Sequence, residues 1–270
     1  MIIYIEKGVI FMKKPTVISV SIHKGGSGKS TICGNLAYAL SLMGHKILAV
    51  DTDSQMNLSH SFNCYSSKKN FYKAFIEKDD IRNHIQRTAY KNIDIVVGDV
   101  ALASVETKMH SMNFRELRAL EVIMPLLEEE NPEYDFVIFD QSPSLGMLNT
   151  SLLHASDEVL IPIEPSSFGV EGLDVFLEHF ENVKEYHKDL NILGIVFNKI
   201  DRRENISQDA LMVVKEVFGD LVLESKILVD SNIKNAQWAH KPLAVYNKNS
   251  RAVNCFDKLA KEVIEVVKSR

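Results

Sequence analysis

Cysteine is scarce in this chain. Cys33, Cys64 and Cys255 lie far apart and form no CxxC pair, which removes a disulfide framework and a structural zinc site from consideration. It also removes the paired thiolates that would bridge an iron–sulfur cluster between two subunits. A reducing cytoplasm is the simplest setting for such cysteine usage. Long apolar runs are missing too: no stretch approaches the roughly 20 residues a membrane helix needs. The opening MIIYIEKGVIF is mildly apolar, but Glu6 interrupts it and no small-residue cleavage site follows. Internal repeats and low-complexity tracts are absent. There is one tryptophan, Trp238, which reads as a packing residue rather than a base-stacking one.

What is present is core-forming material. The chain has 270 residues, 46% of them hydrophobic and 25% charged, enough for a substantial core. The motifs run from end to end without a linker, so one domain is expected over residues 12–270. MKKP at 12–15 reads like a natural start, and residues 1–11 are expected to be an N-terminal extension. Net charge is −5, unevenly spread: residues 101–190 hold 5 Lys/Arg against 18 Asp/Glu, whereas residues 221–270 hold 9 against 5. Solvated helix faces can differ in this way by chance. The functional alternative is a basic surface near the C-terminus that meets a polyanion.

The pattern along the chain alternates. TVISVSI (16–22) is a β-branched run that stops at glycines and reads as a buried strand. STICGNLAYALSLMG follows with Ile32, Leu36, Ala39, Leu40 and Met43 at helical spacing and Gly44 suited to a C-cap. KILAVD, IDIVVGD, YDFVIFD, DEVLIPIEP and NILGIVFNKID read as further strands, and SKIL as a short last one. The stretch 52–92 is polar and irregular, with helical pieces near 71–76. NFRELRALEVIMPLLEEE is an amphipathic helix in which Pro125 should kink or break the rod. GLDVFLEHFENVKEY, SQDALMVVKEVFG and AVNCFDKLAKEVIEVVK complete the helices. Strands alternating with helices predict an α/β fold, a mostly parallel twisted sheet flanked by helices on both faces. Ligands of such sheets bind at the carboxyl ends of the strands. Lys24, Asp51, Asp53 and Asp140 all fall just after strands and should share one edge.

The chemistry is carried by SIHKGGSGKST (21–31). Gly25, Gly26 and Gly28 let the backbone curl so that its N–H groups face phosphate oxygens, and the positive end of the following helix points to the same place. Lys29 is placed to reach β- and γ-phosphates, and the Ser30 hydroxyl to bind Mg²⁺. The strand YDFVIFD delivers Asp140 as the carboxylate that organises the metal, through a bound water. VDTDSQMN places two aspartates at i and i+2; one can orient an attacking water while the other holds the loop.

These three pieces resemble the deviant Walker A, Walker A′ and Walker B motifs of ParA/MinD-type ATPases, and most nearly those of ParA partition proteins, over almost the whole chain from Lys14 to the final helix. The resemblance implies binding of ATP with Mg²⁺ and slow hydrolysis. It assigns Lys24 as the signature lysine that reaches across a dimer to the partner's ATP, a sensible use of a second cation when the nucleotide is buried between subunits. It also implies that Gly25 to Gly28, Ser27 included, form the phosphate cradle. Lys29 becomes the phosphate lysine, Ser30 a metal ligand, Thr31 a contact to the α-phosphate, and Asp53 the residue that positions water. Asn198 matches a residue that touches adenine, although a strand-end turn residue would look the same.

There are departures from the family pattern. The family often has Asp-x-Pro-Pro after Walker B, where this chain has Asp140-Gln141-Ser142-Pro143. The second aspartate is often followed by Pro-Gln, here by Ser54-Gln55. An Ile-Pro pair in the adenine-side loop is replaced by Ile227-Leu228. No helix-turn-helix segment precedes the ATPase core, so operator binding through one is not expected.

Within the superfamily, a MinD-like membrane-seeking helix is not expected, because Phe256, Leu259, Val263, Ile264 and Val267 have core-like spacing. The family implies an ATP-bound homodimer, non-specific DNA and a ParB-like centromere-binding partner that stimulates hydrolysis, in a nucleoid-associated cytoplasmic protein. Arg202, Arg203, Lys226, Lys234, Lys241, Lys248 and Arg251, expected in a loop-rich region, are the candidate DNA contacts. A MinD-like positioning ATPase and a metabolic P-loop enzyme using ATP are the alternatives; the latter would have no use for Lys24.

Overall fold

The computed structural model of the protein describes residues 4–6, 9–11, 14–201, 203 and 205–270. Among the described residues there are ten strands: β1 (Tyr4–Glu6), β2 (Val9–Phe11), β3 (Thr16–Val20), β4 (Ile47–Asp51), β5 (Gln86–Arg87), β6 (Ile93–Val96), β7 (Phe136–Asp140), β8 (Glu158–Ile163), β9 (Asn191–Ile200) and β10 (Val222–Leu228). The first two pair antiparallel with each other as a separate ribbon. The other eight form one sheet in the order β10-β9-β8-β3-β7-β4-β6-β5, in which only the β5–β6 pair is antiparallel.

Eleven α-helices are described: α1 (Lys29–Leu42), α2 (Asn57–Ser61), α3 (Phe71–Ile76), α4 (Val105–Met109), α5 (Arg118–Leu127), α6 (Met147–His154), α7 (Ser167–Lys184), α8 (Asn205–Phe218), α9 (Ser231–Trp238), α10 (Leu243–Tyr246) and α11 (Arg251–Lys268). The central strands are apolar on both faces, as a sheet covered on both sides requires. Ile18, Val20, Ile47, Ala49 and Ile138 meet Ile32 and Leu36 of α1 and Phe256, Leu259 and Val263 of α11. The alternate residues Val17, Leu48, Val50, Val137 and Phe139 meet Val122 and Ile123 of α5 and Leu148 and Leu152 of α6. Toward β9 the cover is Leu173, Phe176 and Phe180 of α7. The final helix is thus buried along one face, as its spacing predicts. Among the described residues no helix is long and apolar enough to cross a membrane.

Three expectations need correction. The last strand is seven residues long, not the four of SKIL. Pro125 does not break its helix: α5 runs on to Leu127, with the proline in the last turn, where a missing N–H removes only one bond. The region expected to be loop-rich is largely ordered structure, holding β10, α9, α10 and the start of α11.

A phosphate-binding edge at the centre of the sheet

Parallel register fixes the site. β7 lies between β3 and β4, with Val20 opposite Asp140 and Asp51 opposite Asp140. The carboxyl ends of all three strands therefore open at one height, and the loop from β3 to α1 curls over them. Gly26 and Gly28 have φ of +78° and +93°, the left-handed region that costs a side chain dearly. A Cβ on Gly25 or Gly26 would meet nothing within 4 Å, so the cradle is open toward the cavity. Gly28 caps α1 with no side-chain hydrogen bond, and the first turn of α1 carries no acidic residue. Its first N–H groups and positive end stay available for an anion.

The loop is braced from β9. The buried Asn198 side chain donates from Nδ2 to the Ser27 carbonyl (2.7 Å) and accepts at Oδ1 from Lys199 N (2.9 Å). A Cβ on Gly28 would stand 2.0 Å from that Nδ2. The Lys29 ammonium is buried and rests on the Lys24 carbonyl (2.9 Å) and the Ile22 carbonyl (3.4 Å). Burial lowers its pKa; the charges of Asp140 and Asp53 oppose that shift.

Lys24 behaves differently. Its ammonium turns to the turn after β8, donating to Ser166 Oγ (3.2 Å) and pairing with Glu164 Oε2 (3.7 Å). Glu164 is shared with Lys199, which reaches it at 2.5 Å and also donates to the Gly26 carbonyl (2.7 Å). Glu164, Ser166 and Lys199 were not singled out from the sequence.

The two aspartates of β4 and its loop divide their work. Asp51 is fully buried. Its Oδ2 accepts from Ser59 N (2.8 Å) and Ser59 Oγ (2.6 Å), and its Oδ1 from Asp53 N (3.2 Å). Burial raises its carboxyl to about 6, against the pull of those hydrogen bonds. Asp51 is thus the residue that holds the loop. Asp53 is 8% exposed and lines the cavity, its Oδ1 accepting from Gln55 N (3.0 Å).

Asp140 supplies the test for a metal. Its Oδ2 is the one buried side-chain N or O atom without a hydrogen-bond partner among the described residues. Burial, then the like charge of Asp51, push its carboxyl well above the usual range; the hydrogen bond from Ser30 and the charge of Lys29 pull the other way. A buried acid with an orphaned oxygen beside a serine hydroxyl fits a divalent cation, which would replace the proton. No group of three or more His, Cys, Asp or Glu among the described residues could hold a metal, so such an ion would draw its remaining ligands from phosphate and water. Gln141, which directly follows Asp140, is buried and knits β7 to β3: Oε1 accepts from Ser21 Oγ (2.7 Å) and Nε2 donates to Ser19 Oγ (2.8 Å).

These residues border a cavity of about 1000 Å³. Gly25, Gly26, Gly28, Lys29, Ser30, Thr31 and Asp53 are among its lining residues, together with Asn198, Leu228, Asp230, Gln237 and Pro242. Thr31 Oγ1 accepts from Gln237 Nε2 (2.7 Å). Gln237 escaped notice because α9 buries only Ala236 and so has no apolar periodicity to read.

The candidate DNA contacts scatter. Lys234 and Lys241 line the cavity mouth. Arg251 caps the Val229 carbonyl and lies 3.9 Å from Asp230, Arg203 pairs with Asp201, Lys226 is half-buried on β10 and Lys248 is exposed. Arg202 falls outside the described residues. Trp238 is not a packing residue: it is 89% exposed.

Comparison with known proteins agrees with this geometry. Residues 15–192 match the AAA_31 family model, described as an AAA domain. The sporulation initiation inhibitor protein Soj of Bacillus subtilis is 30% identical over 92% of this chain and 97% of its own. The chromosome partitioning protein ParA of Caulobacter vibrioides is 27% identical over 94% of this chain and 96% of its own. Among solved structures, a plasmid partition protein from Borrelia burgdorferi bound to AMPPNP superposes with a TM-score of 0.78 at 22% identity, over 95% of this chain and 99% of that one. That likeness speaks for the fold alone. The chain belongs to the ParA/Soj family of AAA-domain ATPases.

Proposed function

We propose that the protein is an ATP-dependent dimerisation switch for DNA partitioning, whose ATP-bound dimer binds DNA without sequence preference and is reset when a ParB-like partner stimulates hydrolysis. The observation that carries this reading is the placement of Lys24. A second loop lysine meant for its own nucleotide would face its own cavity. Lys24 does not line that cavity and is held by Glu164 and Ser166 instead, a position from which it is free to serve a facing subunit.

The chain's own residues divide the chemistry as follows. The N–H groups from Gly25 to Ser30 hold the phosphates. Lys29 exchanges its two neutral carbonyl partners for β- and γ-phosphate oxygens, a stronger charge-assisted pairing. Thr31 turns its hydroxyl from Gln237 to the α-phosphate. Asn198 and the β10–α9 segment border the adenine end. Ser30 and Asp140 would hold Mg²⁺, which would supply charge neutralisation at the phosphoryl group in transfer. Asp53, held by the Gln55 N–H and by the Asp51 carboxylate under its own N–H, orients the attacking water. Lys24 of each subunit leaves Glu164 and neutralises triphosphate in the other, so dimerisation and catalytic readiness coincide.

The test is retention on mixed-sequence duplex DNA across a salt series with ATP, ADP or no nucleotide. ATP-specific binding is expected, with log affinity falling linearly in log salt. Charge reversal at Lys248 and Arg251 should abolish it while ATP binding persists. Equal retention with ADP, or none with ATP at any salt, would contradict the DNA part of the proposal.

A further inference from the structure

Lys24 rests in a poor seat. Its ammonium lies at the start of α7, where Ser166 caps the helix by accepting from Gly169 N (3.1 Å) and also accepts from Lys24 Nζ (3.2 Å). The start of an 18-residue helix carries partial positive charge, which repels a cation. The first turn of α7 holds no acidic residue to offset it. Glu164 supplies the offset from the turn before the helix, with Oε2 3.7 Å from the ammonium; the Lys24 and Glu164 side chains are 23% and 22% exposed. The backbone at Lys24 is packed against the same helix, since a Cβ on Gly172 would stand 3.5 Å from the His23 carbonyl and 3.7 Å from Lys24 Cβ.

Glu164 does not belong to Lys24 alone. Its Oε1 accepts from Lys199 Nζ (2.5 Å), and the same ammonium donates to the Gly26 carbonyl (2.7 Å). Lys199 is held at φ +58°, in the left-handed region that side chains avoid, with its N–H donating to Asn198 Oδ1 (2.9 Å). One carboxylate thus serves two ammonium groups and can give up one without being left unpaired. Nucleotide loosens the other tie on this stem, because Lys29 donates to the Lys24 carbonyl (2.9 Å) only until phosphate takes its place.

We propose that Glu164 is a positioning residue that acts through Lys24: shared with Lys199, it retains the loop lysine in its own subunit and sets the threshold that ATP-dependent dimerisation must overcome. The proposal rests on the dimerisation reading and adds its regulation. Lys199 takes over the carboxylate as Lys24 departs, which keeps the threshold low enough to cross. A two-fold dimer counts the effect twice, because one Lys24 leaves one Glu164 in each subunit. A partly exposed ion pair is worth roughly three-fold in an equilibrium constant, so neutralising both carboxylates should tighten the dimer about ten-fold.

The test is sedimentation equilibrium over a range of protein concentration, with saturating ATP and Mg²⁺. The full-length Asp53→Ala protein, slowed in hydrolysis, is the parent, and Glu164→Gln is added to it. Glutamine keeps the shape of the side chain and an oxygen for Lys199. Expected are a dimer dissociation constant lowered about ten-fold, on the ion-pair scale used above, and monomers of both proteins in ADP. Lys199→Met in the same parent should move the other way, because the whole carboxylate then falls to Lys24. In the presence of Glu164→Gln, Lys199→Met should leave the dimer constant unchanged, since the two substitutions act through one charge. A dimer unchanged or weakened by Glu164→Gln would overturn this proposal and leave the dimerisation reading standing. So would equal tightening in ADP, or an effect of Lys199→Met that persists without the carboxylate. Failure of the parent to dimerise with ATP would overturn both.

Discussion

Replacing Ser59 by alanine removes a single oxygen from the floor of the site. That oxygen donates to Asp51 Oδ2 (2.6 Å) and accepts from Gly98 N (3.0 Å), and the residue is 1% exposed. A hydrogen bond to a charged group contributes about 1.5–3 kcal/mol, and a buried N–H left without an acceptor costs about 1–3 kcal/mol. Allowing for partial relaxation, Ser59→Ala should destabilise the fold by about 3 kcal/mol, or roughly 6–12 °C in Tm for a chain of this size.

The loss should depend on pH. Burial lifts the Asp51 carboxyl to about 6 while the Ser59 bonds hold it down, so the variant's carboxyl lies higher still. With a folded-state value above the unfolded one, the folded protein keeps a proton that the unfolded chain releases between about pH 4 and 6. Stability therefore falls as pH rises through that window, and falls further and to higher pH in the variant. Thermal and urea unfolding followed by circular dichroism, without nucleotide, should show a larger deficit at pH 8 than at pH 5. Ser41→Ala is the control, because among the described residues Ser41 Oγ bonds only the Tyr38 carbonyl of its own helix; it should lose under about 1 kcal/mol. A Tm drop below about 2 °C at pH 8, on the same scale, or a deficit larger at pH 5, would refute the reasoning.

Two further perturbations follow from the same geometry. Gly28→Ala forces a side chain into a φ of +93° and against Asn198 Nδ2; a penalty of about 1–2 kcal/mol from the backbone alone and at least ten-fold weaker ATP binding by calorimetry are expected, and a wild-type affinity would show the loop shape to be unimportant. Magnesium binding in the presence of nucleotide should release a proton, because burial holds the Asp140 carboxyl above its usual range; affinity should therefore be weaker at pH 6 than at pH 8, and a pH-independent affinity would argue that Asp140 is not a ligand.

Much of the site was legible because parallel sheets impose position: a motif that ends a buried strand must open at the carboxyl edge, so Lys24, Asp51, Asp53 and Asp140 could be placed together from their strands alone. The helix after the glycines was legible from its apolar spacing. What escaped depends on partners far apart in the chain. Nothing near Lys24 announces Glu164 and Ser166, which lie 140 and 142 residues away. Nothing near Asn198 announces the Ser27 carbonyl it braces. α9 escaped because capping by Asp230, rather than an apolar stripe, defines it. Trp238 was misjudged because a large aromatic is buried more often than not, and only the fold shows which side of a polar helix it occupies.

The placement of Lys24 outside its own cavity is tested most directly by mass measurement in solution, using light scattering after gel filtration of the Asp53→Ala variant with ATP and Mg²⁺. Slowed hydrolysis should leave the nucleotide-bound dimer trapped at twice the chain mass. Adding Lys24→Ala should return it to a monomer that still binds ATP. A monomer in the single variant, or a dimer that survives the loss of Lys24, would contradict an ammonium that acts across the subunit boundary.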